Sequence, residues 1–403
     1  MPSRSTGYLY PWDVIDDPSA PERIAGLGVD SIALAAAYHG VRAVTPFHPR
    51  HRFVEAEHSA LYVPVRRAVW ESAPIPAVSA QPWTGHPDSF GLARSRLAEA
   101  GLGVDAWVVL GHRDPRFRDD GAEYCVRNAF GDRYRYALCP SQLAVVDYSR
   151  RLVAEVVELG RPDGLVVEAC GPLGVGHGHL HDKSAMEGLG ALEEVLLSLC
   201  FCPACTASLA ELGVAADGLA ERVRQAVRKL AASQISGPPD ESPEIRDGST
   251  NPVDHVLGPE AAALHAVRMS AIGRLWDQVL AQAKDFGLSR VAFHATGGRW
   301  RTGPAPTFPV DVLGRRTARL IVPSGSDAQS NVARIARVRQ QTTAEVAAFV
   351  SIVQPASLSA EALAEHWRLL RAAGADELHL YHVGLASPPR LRIAQSALAH
   401  SFG

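Results

Sequence analysis

Short apolar runs alternate with longer amphipathic stretches along most of this chain. Gly7-Tyr8-Leu9-Tyr10 reads as a first strand, and a helix follows near Pro18–Gly26. Ser31–Tyr38 (SIALAAAY) is a continuous apolar run, the pattern of a strand covered on both faces. Further strands are expected at Val104–Leu110, Leu165–Ala169, Arg290–Ala295, Ala318–Pro323, Ala347–Val353 and Glu377–Val383. Helical periodicity falls between them, over Phe90–Ala100, Gln142–Leu159, Asp327–Val338, Ala360–Ala373 and Leu391–His400. Between the fourth and fifth strands lie four more helical stretches, Ala185–Leu199, Ala204–Leu212, Gly218–Ala232 and Pro259–Phe286. A polar linker, Ser236–Asn251, interrupts them.

Eight strands with intervening helices predict an α/β fold, a (β/α)8 TIM barrel spanning residues 1–403. Residues 171–288 then form a large, mostly helical insertion after strand four, able to serve as a lid or a homo-oligomer interface. An open doubly wound sheet is the alternative, but no Gly-rich phosphate loop follows the first strand. Two segments, 39–87 and 112–140, are long for loops, and loops of that length carry function or minor structure of their own.

Composition narrows the class. Hydrophobic residues make up 47% and charged residues 21% of the 403, an ordinary globular balance. A net charge of −3 offers no footprint for nucleic acid or an anionic membrane. The apolar runs are strand-length, so no membrane-spanning helix is expected. Residues 1–20 lack the basic and apolar regions of a secretory signal, which makes a cytoplasmic bacterial enzyme the plainest setting.

Chemistry in such a barrel gathers where the strands end. Glu168 closes the apolar run Leu165-Val166-Val167, and a carboxyl there is costly unless the site uses or pairs it. Asp13, Asp114 and Asp327 follow strands one, three and six and are the candidate second carboxylates. Tyr8, Trp12, Tyr38, His39, His112, His294, Trp300, Gln354 and His382 stand at or just beyond other strand ends. Rings with interspersed polar groups suit a sugar.

Two patterns could hold a metal. His177, His179 and His181 alternate in the loop after strand four, where they could chelate an ion or grip substrate hydroxyls. Cys200, Cys202 and Cys205 form C-x-C-x-x-C, a spacing suited to structural zinc. Cys170 is the nearest candidate fourth ligand, with Cys125 and Cys139 as others. The alternative for these thiols is tight helix–helix packing. No organic cofactor motif is evident.

The strand-four glutamate, followed after a helix by Cys200-Phe201-Cys202-Pro203-Ala204-Cys205, resembles family 42 β-galactosidases and related clan A glycoside hydrolase barrels. The run Asn128-Ala129-Phe130-Gly131-Asp132 through Tyr136 to Pro140 also looks like uncharacterised actinobacterial barrels of that type. The resemblance implies that Glu168 is the acid/base and that Cys200, Cys202 and Cys205 bind structural zinc. Two departures stand out. Val167 replaces the usual Asn before the acid/base, and Gln354 stands where a strand-seven nucleophile is expected.

The function expected is a glycoside hydrolase-like barrel acting by carboxylate acid/base catalysis on a carbohydrate or glycosylated small molecule. The alternatives are a metal-dependent hydrolase or isomerase built on the His-rich loop, or a sugar-binding barrel without catalysis, as Gln354 suggests.

Overall fold

The computed structural model describes residues 4–80, 86–113, 121–176, 189–232, 251–315, 318–325, 327–353 and 359–402. Eight parallel strands close into a barrel: β1 Arg4–Leu9, β2 Ser31–Tyr38, β3 Gly103–Val109, β4 Gly164–Glu168, β5 Val291–His294, β6 Arg319–Pro323, β7 Val346–Ser351 and β8 Glu377–Tyr381. Each pairs in parallel with its sequence neighbour, and β8 pairs with β1 to complete the ring. The expected TIM barrel is present, with strand boundaries within a few residues of the reading above. β1 starts earlier because its polar first residues, Arg4 and Ser5, pair with Glu377 and Leu378.

β2 is buried along its whole length, as its uninterrupted apolar run requires. Helices between the strands supply the outer layer. Several begin on capping side chains: Asp88 accepts from Gly91 N, and Ser359 from Ala362 N. Helix Leu143–Gly160 packs on helix Ala261–Asp285, which precedes β5. Trp276 of that second helix stacks on Phe293 of β5, with centroids 3.9 Å apart, and donates to Cys170 O at 3.0 Å.

The two long loops carry structure of their own. Val41–Val44 pairs with Phe53–Ala56, Ala60–Leu61 adds antiparallel to the end of β2, and Cys125–Arg127 pairs with Arg133–Leu138. A helix at Val310–Arg315 was not anticipated by the periodicity. Helices Ala191–Leu197, Pro203–Glu211, Ala216–Ala232 and Pro252–Leu257 bury a second apolar cluster against the start of Ala261–Asp285, including Leu209, Val223, Leu257 and Leu264. Trp300 belongs to this cluster. Among the described residues, no helix is long and apolar enough to cross a membrane.

Polar residues are built into the barrel near the starts of its strands. Asp105 of β3 pairs with Arg290, Glu377 of β8 with Arg319 at 3.3 Å, and His379 Nε2 lies 3.5 Å from Glu377 Oε2. Such a pair stabilises little by itself, but removing one partner strands the other charge. Arg290→Ala is therefore expected to destabilise the fold by roughly 3–5 kcal/mol at neutral pH, and by less in acid, where Asp105 is protonated. Urea denaturation at both pH values checks this.

Candidate active site

β4 carries Glu168 to the mouth of the barrel. Parallel pairing places Val167 opposite Phe293, whose ring faces the outer helix, so Glu168 and its neighbour His294 turn inward together. The chain turns sharply behind the carboxyl: Ala169 has φ +52°, a left-handed conformation that costs a non-glycine residue about 1–2 kcal/mol. Ala169 N donates to Pro304 O at 2.9 Å, which holds the turn.

Glu168 is half-buried, and its Oε2 accepts from Trp107 Nε1 at 2.7 Å. Burial pushes its pKa up to about 7, with the indole bond opposing. Around it the strand ends supply rings. Trp107 meets Tyr8 edge-on at 4.9 Å and Tyr38 at 4.5 Å, and Tyr10 packs between Tyr38 (5.1 Å) and His382 (4.4 Å). Tyr381 and Phe349 complete the wall beside Tyr8. Burial raises the pKa of Tyr8, Tyr10 and Tyr38, and the nearby Glu168 charge adds to this at Tyr8 and Tyr38. All three stay neutral phenols, able both to donate and to accept.

His294 and His382 are neutral for the same reason. Burial lowers His294 and His382 to about 3. Tyr8 OH lies 3.0 Å from His294 Nε2 and 2.9 Å from His379 Nδ1. His382 is fully buried, and neither ring nitrogen has a partner among the described residues. His39 stacks on Tyr38 at 4.2 Å and approaches His112 at 4.5 Å. Beside them a cavity of about 60 Å³, lined in part by Tyr38, His58, Val109, His112 and Arg113, has room for a few waters but not for a sugar ring.

Asp13 is buried at the β1 end, where it accepts from Tyr10 N at 2.8 Å and packs on the backbone of Gly384. Burial pushes it up to about 7, against the pull of its backbone bond and Arg23. Trp12 is buried and stacks on Tyr10 at 4.5 Å. Three expectations are corrected. Asp327 is exposed and caps helix Ala328–Gln341 by accepting from Ser330 N, so it is not aimed at the cup. Trp300 is 1% exposed and donates to Asp254 at 2.9 Å, pinning the helical excursion instead of facing a ligand. Cys170 donates to His294 O at 3.5 Å, within the barrel wall, and is no part of the thiol cluster. Asp114, His177, His179, His181 and Gln354 lie outside the described residues. Trp107, Tyr381 and His379 were not singled out from the sequence; the only hint was Asp105 two residues before Trp107, a polar residue marking the inward face.

The fourth thiol is Cys139, at the end of the hairpin strand Arg133–Leu138. Cys139, Cys200, Cys202 and Cys205 place their sulfurs within 4.8 Å of one another, all buried, and this cluster could hold a metal ion. Cys139 Sγ lies 3.6 Å from Cys205 Sγ and 3.7 Å from those of Cys200 and Cys202. A tetrahedral ion with sulfurs at 2.3 Å would set them about 3.8 Å apart, so the fit is close. Without a cation the thiols crowd one another: Cys139 and Cys200 are pushed up, while hydrogen bonds from the other three favour the Cys202 thiolate. The hairpin that ends at Cys139 also bears Tyr136, whose hydroxyl donates to Gly174 O at 2.9 Å, on the chain leaving Glu168.

No protein-family model and no curated protein matches the chain. Solved structures do. The catalytic domain of a β-amylase from Paenibacillus polymyxa is similar over 99% of this chain and 98% of that one, at TM-score 0.57 and 10% identity. An α-L-fucosidase isoenzyme from Paenibacillus thiaminolyticus is similar at TM-score 0.52 and 15% identity, over 99% of this chain and 49% of that one. A β-galactosidase from Marinomonas ef1 gives TM-score 0.53 and 10% identity, over 98% and 59%. This chain thus spans about half the length of the fucosidase and nearly all of the amylase domain. The (β/α)8 barrel is the fold it shares with them; family 42 in particular gains no family-level match.

Proposed function

We propose that this chain is a glycoside hydrolase-like enzyme in which Glu168 is the general acid toward a small carbohydrate or a glycosylated metabolite. The observation that carries the reading is a carboxyl at the end of β4, half-buried among aromatic rings, with a pKa pushed up to about 7. A general acid works best with a pKa near the working pH, and an apolar cup is the usual way to raise a glutamate there. Tyr381 and Phe349, the partly exposed rings beside Tyr8, offer faces for sugar C–H groups, with Tyr8, Tyr10, Tyr38 and Trp107 buried behind them. The second carboxylate is Asp13 or Asp114.

In this reading Cys139, Cys200, Cys202 and Cys205 hold a structural zinc that pins the helices after β4 to the hairpin before Leu143. Thiols kept reduced for that purpose suit a cytoplasmic setting. The whole chain forms one barrel, with 171–288 as its insertion.

A panel of aryl glycosides tests the reading, with sugar binding followed by calorimetry. Hydrolysis of at least one member is expected. Tight binding of a sugar with no hydrolysis across the panel would instead favour the sugar-binding barrel, in keeping with Gln354 at strand seven.

A further inference from the structure

Trp107 and Glu168 meet across neighbouring strands. In the parallel β3–β4 pairing Trp107 stands opposite Val166, and Val166 and Glu168, two residues apart, face the same side of β4. The indole leans along that side toward the strand end, and its Nε1–H donates to Glu168 Oε2 at 2.7 Å. The ring itself has little freedom. It is 1% exposed, edge-on to Tyr8 and Tyr38, and stacked on Tyr10 at 5.9 Å.

The two carboxyl oxygens are therefore unlike. Oε2 has the indole as its partner. Oε1 has no hydrogen-bond partner among the described residues and is not sealed from solvent. An indole N–H can only donate. In the neutral carboxyl it selects Oε2 as the carbonyl oxygen, the better acceptor, and leaves the proton on Oε1. In the ionised carboxylate the same bond becomes charge-assisted and stronger.

We infer that Trp107 is a positioning residue for Glu168: its indole pins Oε2, so that Oε1, the oxygen open to solvent, carries the proton and delivers it to the leaving group. In that step the glycosidic C–O bond breaks, its electron pair stays with the leaving oxygen, and that oxygen takes the proton from Oε1. Water completes the sugar carbon, and the carboxylate left behind keeps its charge against the indole N–H. The indole bond also opposes the upward push of burial on Glu168, as a donor to the ionised form must. The part in proton delivery rests on the glycosidase reading; the pinning does not.

The Trp107 indole proton tests the inference in tryptophan-labelled protein by nitrogen-15 NMR, assigned through its contacts with the Tyr8 and Tyr38 rings. It should move downfield as pH rises, with a midpoint near 7, and the movement should vanish in Glu168→Gln. Tyr8, Tyr38, Tyr381 and Cys170 are pushed up and His294 and His382 lie at about 3, so none of these titrates near 7. Asp13, at about 7 beside Tyr10, and His379, His39 and His112, which flank Tyr8 and Tyr38, are separated by the same Glu168→Gln control. Trp107→Phe keeps a ring but removes the donor. It should move the Glu168 midpoint above 7 and lower kcat by up to about 100-fold, the cost of a misplaced group. An indole signal that does not follow Glu168, or that still titrates near 7 in Glu168→Gln, overturns the inference whether or not Trp107→Phe folds. So does an unchanged midpoint in a folded Trp107→Phe. The expected titration together with no hydrolysis of any glycoside would retain the pinning and defeat the enzyme reading.

Discussion

Glu168→Gln is expected to lower kcat on a glycoside with a poor leaving group by roughly 10²–10⁴-fold, the range general acid catalysis supplies. The amide keeps the shape of the side chain, and its oxygen can still accept from Trp107 Nε1, so the aromatic cup stays intact and KM should change little. A dinitrophenyl glycoside, whose leaving group needs no proton, should lose far less. In the wild type, activity that depends on the protonated carboxyl should fall as pH rises through about 7. Equal loss on both substrates would assign Glu168 some other part in the reaction.

The same substitution has a second consequence, opposite in sign. The folded-state pKa of Glu168 is raised from its ordinary 4.5 to about 7, so the fold prefers the protonated form. The ionised carboxyl therefore costs stability, growing as pH rises from about 4.5 to about 7 and constant above that, by up to about 3 kcal/mol. Glu168→Gln removes this cost and should raise the melting temperature at pH 8 while changing little at pH 4. Greater stability with less turnover is what a residue kept for chemistry produces.

The other large effect is expected at the thiols. Purified protein should carry about one zinc per chain, and Cys139→Ser should reduce that to a small fraction. Structural zinc sites contribute an apparent 10–16 kcal/mol of binding free energy in small folds, so loss of several kcal/mol here is the minimum expected. The damage should centre on the helices from Pro203 to Leu257, whose apolar cluster lies next to the thiols, and should reach Glu168 only through Tyr136 and the backbone at Gly174. Mass spectrometry for metal and differential scanning calorimetry together check this. Protein without metal and an unchanged melting temperature in the variant would mean that the four thiols merely pack.

The barrel was legible because its strands are buried on both faces and so read as short, unbroken apolar runs; Ser31–Tyr38 matched residue for residue. Glu168 was legible because a carboxyl ending such a run has no apolar explanation. The errors come from judging neighbourhood along the chain. Cys170 is nearest the insertion in sequence, but the strand directs it toward His294 O, while the hairpin 125–138 folds back and delivers Cys139. Asp327 and Trp300 both follow strands, yet one is taken up by a helix N-terminus and the other by a second core. Trp107 was hidden in the opposite way: within an apolar run, hydropathy does not tell a ring facing the site from one filling the wall.

The most direct test of the central claim is the titration of Glu168 itself, read from carbon-13 NMR of glutamate-labelled protein with the signal assigned by its absence in Glu168→Gln. A midpoint near 7 is expected, with the carboxyl largely protonated at pH 6. A midpoint at the ordinary value near 4.5 would show a carboxylate ionised throughout the working range, and Glu168 could not then be the general acid.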